Sequence, residues 1–246
     1  MWQVHQGLAI TFLTISIALK LDGSWVSFGW LVEAAGLYII GARSRKHELK
    51  AFGAVVLGLA LIRVVFVDSQ LANQTLFFNQ RFGLYLLSIA VLAIIVRLEQ
   101  DRPEYATRVA VAVVAINLLA VTALCLEVND FFQAQRTSIY TNQRVTQQPS
   151  TTALRALSIE EDFVYSAVLM IYGVGLMLVG FWKRTAFLRW QAIALVGITI
   201  AKVFLYDMSN LERIYRIASF IILGVILLAI SYAYQKDWLG LQKSEP

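Results

Sequence analysis

Apolar residues follow one another along this chain in long runs, and short polar stretches separate the runs. A helix needs roughly 17–25 mostly apolar residues to cross the hydrocarbon core of a bilayer. Runs of that kind fall at 4–20, 24–42, 51–67, 82–98, 107–126, 163–181, 187–206 and 213–234. Because backbone polar groups inside lipid must be bonded within their own segment, we predict an all-α, polytopic transmembrane bundle of about eight helices.

The polar stretches between the runs differ in length. Leu21, Asp22 and Gly23 predict a tight turn between the first two runs, and the hydrophilic residues 101–104 divide the chain into halves. The one long polar stretch, 128–162, is rich in Gln, Thr, Ser and Arg. We expect it to form a loop outside the membrane, with a short surface helix at most.

Composition supports a membrane protein and excludes several kinds of site. Hydrophobic residues make up 59% of the chain and charged residues 15%, against about 25% charged in soluble domains. The net charge of +5 comes without a basic patch of interleaved aromatics, so we expect no nucleic acid as a partner. With His5 and His47 as the two histidines, we expect no haem, no zinc and no other cofactor, and no Ser/His triad.

Lysine and arginine predict the orientation in the membrane. Short connections on the cytoplasmic side of a membrane carry an excess of these residues. One side holds the residues Arg43, Arg45, Lys46, Lys50, Arg97, Arg102, Arg108, Lys183, Arg184, Arg189, Lys236 and Lys243. The other holds fewer, namely Lys20, Arg81, Arg136, Arg144, Arg155, Arg213 and Arg216. We therefore expect both termini in the cytoplasm and the polar stretch 128–162 outside.

The two halves of the chain look like copies. A shift of 139 positions aligns Gly36, Gly41 and Gly58 with Gly175, Gly180 and Gly197, without a gap. The same shift places Arg63 on Lys202 and Asp68 on Asp207. An even number of helices per copy makes the repeat parallel. We predict two four-helix repeats, 1–100 and 101–246, with 128–162 as an outward polar loop in the second.

Two stretches of the chain resemble a known family. The first is Leu21-Asp22-Gly23-Ser24-Trp25 with Gly29-Trp30 and Glu33, and the second is Lys202-Val203-Phe204-Leu205-Tyr206-Asp207-Met208-Ser209 with Leu211, Tyr215-Arg216, Ser219-Phe220, Gly224 and Ser231-Tyr232. Both resemble the bacterial predicted membrane proteins called domain of unknown function 2339. The resemblance implies a bacterial inner-membrane protein that corresponds to the last eight helices of longer members. It implies no reaction.

Glu33, Arg63 and Lys202 are ionisable residues inside the apolar runs. Glu33 lies nine residues into the second run, about 14 Å along a helix axis and near the middle of the bilayer. An ionisable group at that depth is a functional-site candidate, and the other interpretation is a structural pair or a protonated carboxyl. We expect Glu33 to pair with Arg63, directly or through another polar group, and Arg63 and Lys202 either to snorkel outward or to line a shared cavity.

A polar cluster is predicted where the last run begins. Arg213 and Arg216 lie on one helical face there, and Tyr206, Asp207 and Tyr215 are close in sequence. We expect Asp207, or a phosphate-bearing ligand, to neutralise the arginines. The candidates for a substrate or ion path are Glu33, Arg63, Lys202, Asp207, Arg213 and Arg216, with Asp22, Asp68, Tyr206 and Tyr215 as secondary candidates.

Two functions fit these residues. The first is a non-enzymatic membrane module, transporter-like or a scaffold, with charged groups along a path near Glu33. The second is a cell-envelope enzyme that acts on a lipid-linked or phosphate-bearing substrate at the outer leaflet. We expect membrane lipids as partners, together with other membrane subunits or further copies of the chain.

Overall fold

The computed structural model describes residues 2–70, 76–146 and 151–207, together with Ile221 and Leu228. All regular structure in these residues is helical. The helices are α1 (Trp2–Lys20), α2 (Trp25–Arg43), α3 (His47–Phe66), α4 (Gln80–Glu99), α5 (Ala106–Thr146), α6 (Thr151–Trp182) and α7 (Ala186–Leu205), with short 3₁₀ turns at Asp68–Gln70 and Pro103–Tyr105. The expected all-α class is confirmed. The eighth expected helix, 213–234, lies outside the described residues apart from Ile221 and Leu228.

Six of the described helices, α2 to α7, are long and apolar enough to cross a membrane by length and composition. The first expected segment is present as α1, which is not among these six. Its polar side chains include His5, Thr11 and Thr14. The described part of the chain therefore contains seven helices and six candidate membrane spans, close to the eight expected.

The described parts of the polar stretch, 128–146 and 151–162, are helical, where we expected a loop. Helix α5 runs for 41 residues to Thr146, about 60 Å, and α6 begins at Thr151. No glycine or proline occurs between position 128 and Pro149, so nothing in the sequence stops the helix. Phe132 and Leu157 are buried, and Arg136 pairs with Glu161. Many exposed positions of these helical parts carry polar residues.

The chain divides into two compact units, Met1–Tyr172 and Gly173–Pro246. The core of the first unit joins side chains of α2, α3, α4 and α5. Helices α2 and α3 pack closely because Gly53 leaves room for the backbone of α2: a Cβ there would lie 3.2 Å from the Ala34 carbonyl oxygen. The division of the sequence into repeats at 100/101 follows sequence similarity rather than compactness, and it stays a prediction.

The α2–α3 and α6–α7 hairpins share one local geometry, displaced by 139 positions. Helix α2 ends at Arg43 and α6 at Trp182, and α3 and α7 end at Phe66 and Leu205. In the two turns, the N–H groups of Lys46 and Thr185 donate to the carbonyls of Gly41 and Gly180, both at 3.0 Å. A Cβ on Gly41 would lie 2.9 Å from the backbone nitrogen of Lys50, so this turn requires glycine.

Candidate functional site

Lys50 and Glu99 form a buried ion pair between α3 and the end of α4. Lys50 Nζ lies 3.2 Å from Glu99 Oε1, and the two side chains are 7% and 0% exposed. Glu99 Oε2 has no hydrogen-bond partner among the described residues. Two charges at such burial are stable only as a pair, because either one alone would be uncompensated.

Aromatic rings surround the ammonium group of Lys50. It lies 4.8 Å from the ring centroid of Tyr105 and 5.8 Å from that of Tyr38. The Tyr105 hydroxyl is 3.4 Å from His47 Nδ1, and the Arg108 guanidinium lies 5.1 Å from the centroid of the Tyr105 ring. Cation–π contacts with two rings strengthen the hold on a cation that has little water.

A second buried cluster forms near the start of α4. Arg81 is 2% exposed and donates to Asp130 Oδ2 at 2.7 Å and to Glu127 Oε1 at 3.3 Å. Glu127 also accepts from the Phe77 N–H at 2.7 Å and from Asn79 Nδ2 at 2.9 Å. Asn79 in turn caps α4 by accepting from the Phe82 N–H. The cluster therefore joins the first turn of α4 to the middle of α5.

The two clusters lie at opposite ends of α4. Arg81 and Glu99 are 18 positions apart, about 27 Å along a helix axis, which is close to the roughly 30 Å thickness of a hydrocarbon core. Lys50 and Arg81 were predicted only as indicators of orientation, and Glu99 was not among the predicted site residues. One signal was available, because Glu99 directly follows an apolar run whose opposite end carries Arg81.

Asp68 and Arg63 lie near the junction of α1 and α2, but with separate partners. Asp68 is 2% exposed and accepts a hydrogen bond from the Ser27 hydroxyl. Arg63 donates to the Gly23 carbonyl at 3.0 Å, and its Nε has no partner among the described residues. The hydroxyl of Tyr85, a fully buried residue, is likewise without a partner there.

Glu33 does not pair with Arg63, and that prediction is wrong. Glu33 is 9% exposed, and its Oε1 lies 2.9 Å from the hydroxyl of Thr14 on α1. Arg63 reaches the Gly23 carbonyl instead, because that acceptor lies at its own end of the bundle, whereas Glu33 lies two to three turns further along α2. Trp30 Nε1 donates to the Thr14 carbonyl at 3.0 Å, a second link between α1 and α2.

In the second unit, Lys202 pairs with Asp207. The distance between Lys202 Nζ and Asp207 Oδ1 is 2.6 Å, and the Asp207 side chain is fully buried. A spacing of five residues is unfavourable within a helix, but α7 ends at Leu205, so the chain turns and brings Asp207 back. The Tyr206 ring centroid lies 5.8 Å from Lys202 Nζ. Lys202 therefore neither snorkels freely nor needs a partner on another helix.

The remaining candidates are exposed or lie outside the described residues. Asp22 is exposed in the turn before α2. Arg213, Tyr215 and Arg216 lie beyond residue 207, outside the described residues, so the predicted arginine cluster stays a prediction. No group of three or more His, Cys, Asp or Glu residues that could hold a metal ion occurs in the described part of the chain.

An apolar cavity opens between the starts of α2 and α4. Its volume is about 200 Å³, and its lining consists of Ser24, Trp25, Phe28, Gln80, Gly83 and Leu84. The Ser24 hydroxyl donates to Gln80 Oε1 at 2.9 Å. The lining carries no charged side chain, so the cavity suits an apolar chain rather than acid–base chemistry.

One protein family matches the chain. The sequence model of DUF2339, described as a predicted membrane protein, matches residues 63–236. The resemblance noted in the sequence is thereby confirmed, although its first part, Leu21 to Glu33, lies before the matched residues. No curated protein and no solved structure matches the chain.

Proposed function

Because the chain belongs to DUF2339, a family of predicted membrane proteins, we propose that it is a multi-pass protein of the bacterial inner membrane that performs no catalysis. It works as a transporter-like or scaffold bundle. Six helices able to cross a membrane support the membrane location, and the excess of Lys and Arg in alternate connections supports cytoplasmic termini. With that orientation the polar ends of α5 and α6 lie outside.

The pairing of buried charges supports this function most directly. Each buried ionisable residue among those described has a polar partner within its own unit. The pairs are Lys50–Glu99, Arg81–Glu127, Arg136–Glu161, Lys202–Asp207, Ser27–Asp68 and Thr14–Glu33. A catalytic acid or base must reach a substrate, whereas these groups reach other helices or turns. Their arrangement favours a role in holding the bundle together.

A cell-envelope enzyme at the outer leaflet is the second candidate. The cavity between α2 and α4 favours it, since an apolar space at a helix end could receive the acyl part of a lipid-linked substrate. Lys202 and Asp207 of the second unit are a separate group of charged candidates, to be tested independently of that cavity. Their 2.6 Å contact makes them each other's partners, which weakens this second candidate.

A lipid-conversion assay separates the two functions. The full chain is reconstituted with total envelope lipids, and the lipid species and released phosphate are measured by mass spectrometry over time. We expect no change relative to empty liposomes. Turnover that is abolished by Lys202→Met and by Asp207→Asn, but kept by the matched surface variant Lys183→Met, would overturn the non-enzymatic proposal in favour of the enzyme.

Copurification tests what the bundle associates with. We expect lipids, further copies of the chain or other membrane subunits to remain bound to the full chain when it is extracted in mild detergent. Native mass spectrometry measures each of these as a discrete mass increment. A strictly monomeric, lipid-free chain would contradict the scaffold function.

A further inference from the structure

Thr14 has one hydroxyl hydrogen and two acceptors within reach. Its Oγ1 lies 3.0 Å from the Ile10 carbonyl oxygen, one turn earlier on α1, and 2.9 Å from Glu33 Oε1 on α2. A hydroxyl supplies a single donor and two acceptor lone pairs. Both contacts are full hydrogen bonds only if Thr14 donates to Ile10 and the other group donates to Thr14. The other group is Glu33, and a carboxyl can donate only when it carries a proton.

The surroundings of Glu33 also favour a neutral carboxyl. Glu33 is 9% exposed, and its Oε2 is buried without a partner in the described part of the chain. A carboxylate there would have at most one hydrogen bond, which is far from the two or three that stabilise a buried charge. A neutral carboxylic acid leaves only one carbonyl oxygen unsatisfied, which is the smaller penalty.

No cation of the described residues compensates Glu33. Among the described residues, none lies within 4.0 Å of its oxygens. Lys50 binds Glu99, Arg81 binds Glu127 and Asp130, and Arg63 binds the Gly23 carbonyl.

The charged and titratable residues of the helices in contact with α2 are His5 and Lys20 of α1, His47, Glu48, Lys50 and Arg63 of α3, and Arg81, Tyr85, Arg97 and Glu99 of α4.

We propose that Glu33 is a proton-binding site within the apolar part of the bundle, a carboxylic acid whose hydroxyl donates to Thr14. The ligand is the proton itself. Loss of the proton leaves an anion with no cation beside it, so release requires α1 to rearrange against α2 or a small cation to enter. The site thus links protonation to the α1–α2 contact. It stands whether the bundle is a transporter, a scaffold or an enzyme.

Infrared spectroscopy of the full chain in liposomes of ether-linked lipids, which have no ester carbonyl band, tests the proton directly. At pH 7 a glutamate in water is ionised, so the carbonyl band of a protonated carboxylic acid should come from buried groups alone. We expect such a band in the wild type, its loss in Glu33→Gln, and a shift in Thr14→Val because the acceptor is gone. A Glu33→Gln spectrum that loses carboxylate bands, with no loss of an acid band, would overturn the proposal.

A chemical reagent gives a second measurement that does not depend on the Gln variant folding. An apolar carbodiimide, which reacts with protonated carboxyls, is added to the wild-type chain in liposomes, and peptides are analysed by mass spectrometry. We expect the Glu33 peptide to be modified and the modification to decline as pH is raised. Glu99 is an internal control, because it is fully buried but paired with Lys50, and it should stay unmodified. Absence of Glu33 modification at every pH tested would contradict the proposal.

Discussion

Arg45 and Arg184 adopt the same left-handed backbone conformation, with φ of 56° and 53°, although 139 positions separate them. Each is exposed and closes the turn between two helices of a hairpin. Non-glycine residues enter this region at a cost of about 1–2 kcal/mol. An uncommon conformation thus recurs in these two turns at the spacing that the sequence similarity gives.

Replacement of Arg45 by glycine should therefore stabilise the protein. Glycine adopts positive φ without the Cβ penalty, so we expect Arg45→Gly to raise the free energy of unfolding by about 0.5–1 kcal/mol. Arg184→Gly should behave alike. Denaturant titration in mixed micelles measures both. Arg97 is the matched control, since it is an exposed arginine in regular helix α4, where glycine should destabilise by up to about 1 kcal/mol. Equal effects at all three positions would contradict the argument.

The predictable part of the fold is the part that local pattern determines. Runs of apolar residues placed α2 to α7 to within a few residues, except where a polar sequence continued as helix beyond residue 126 in α5 and before residue 163 in α6. In these two regions the absence of glycine and proline predicts the extent of the helix better than the polarity of the residues does. The two hairpins end at corresponding positions, and close backbone approach requires Gly41 and Gly180 in their turns, while the division into two four-helix repeats stays a prediction.

Removal of one partner of the Lys50–Glu99 pair should be strongly destabilising. Either Lys50→Met or Glu99→Gln alone leaves a buried group without its partner, and we expect a loss of about 3–5 kcal/mol where a full charge remains. The double variant should lose less than the sum of the single losses. A thermodynamic cycle of four unfolding titrations measures the coupling.

The exposed pair Arg102–Glu104 is the control for that cycle. Its side chains are 46% and 64% exposed, and the two groups are 4.0 Å apart. Solvent screening limits such pairs to about 0–1 kcal/mol, so Arg102→Met and Glu104→Gln should barely change stability. If the Lys50–Glu99 coupling were as small as that of the exposed pair, the buried cluster would not be what holds this end of α4.

Cysteine labelling tests the orientation in the membrane. In a Cys125→Ala background, Arg45→Cys should be protected from an impermeant thiol reagent in intact cells, and Val145→Cys should be labelled. The reason is the excess of basic residues in the connection that contains Arg45. Permeabilised cells provide the control, because both positions should then react. Labelling of position 45 alone in intact cells would reverse the topology.

The helical continuation of α5 can be tested with proline. Ala134 is exposed within the polar part of α5, so Ala134→Pro removes a backbone hydrogen bond and should cost about 3 kcal/mol. Limited proteolysis should then cut residues 128–162 faster than in the wild type. Ala134→Ser, which keeps the backbone N–H at the same position, is the control and should have little effect. Equal proteolysis of the two variants would favour a loop at 128–162.

Side-chain partners were the part that the sequence could not predict. Glu33 and Arg63 are two ionisable residues on adjacent helices, so we expected them to pair. In the structure Glu33 contacts Thr14 instead, and Arg63 contacts the Gly23 carbonyl. Lys202 meets Asp207 because α7 ends two residues earlier, a detail that helical spacing does not contain. Two side chains form a pair only when their helices are aligned along the axis to within one turn. Apolar runs in the sequence locate the ends of a helix less precisely than one turn.

The continuous helix α5 holds Tyr140 at a fixed distance from the apolar segment. From Glu127 to Tyr140 the helix advances roughly 20 Å, and no glycine or proline interrupts it. A molecule that bound at Tyr140 would therefore be held at a set distance from the apolar segment. Deletion of matched whole turns from α5 and α6 would shorten that distance by about 5 Å per turn. The direction in which Tyr140 faces around the helix axis would stay nearly unchanged.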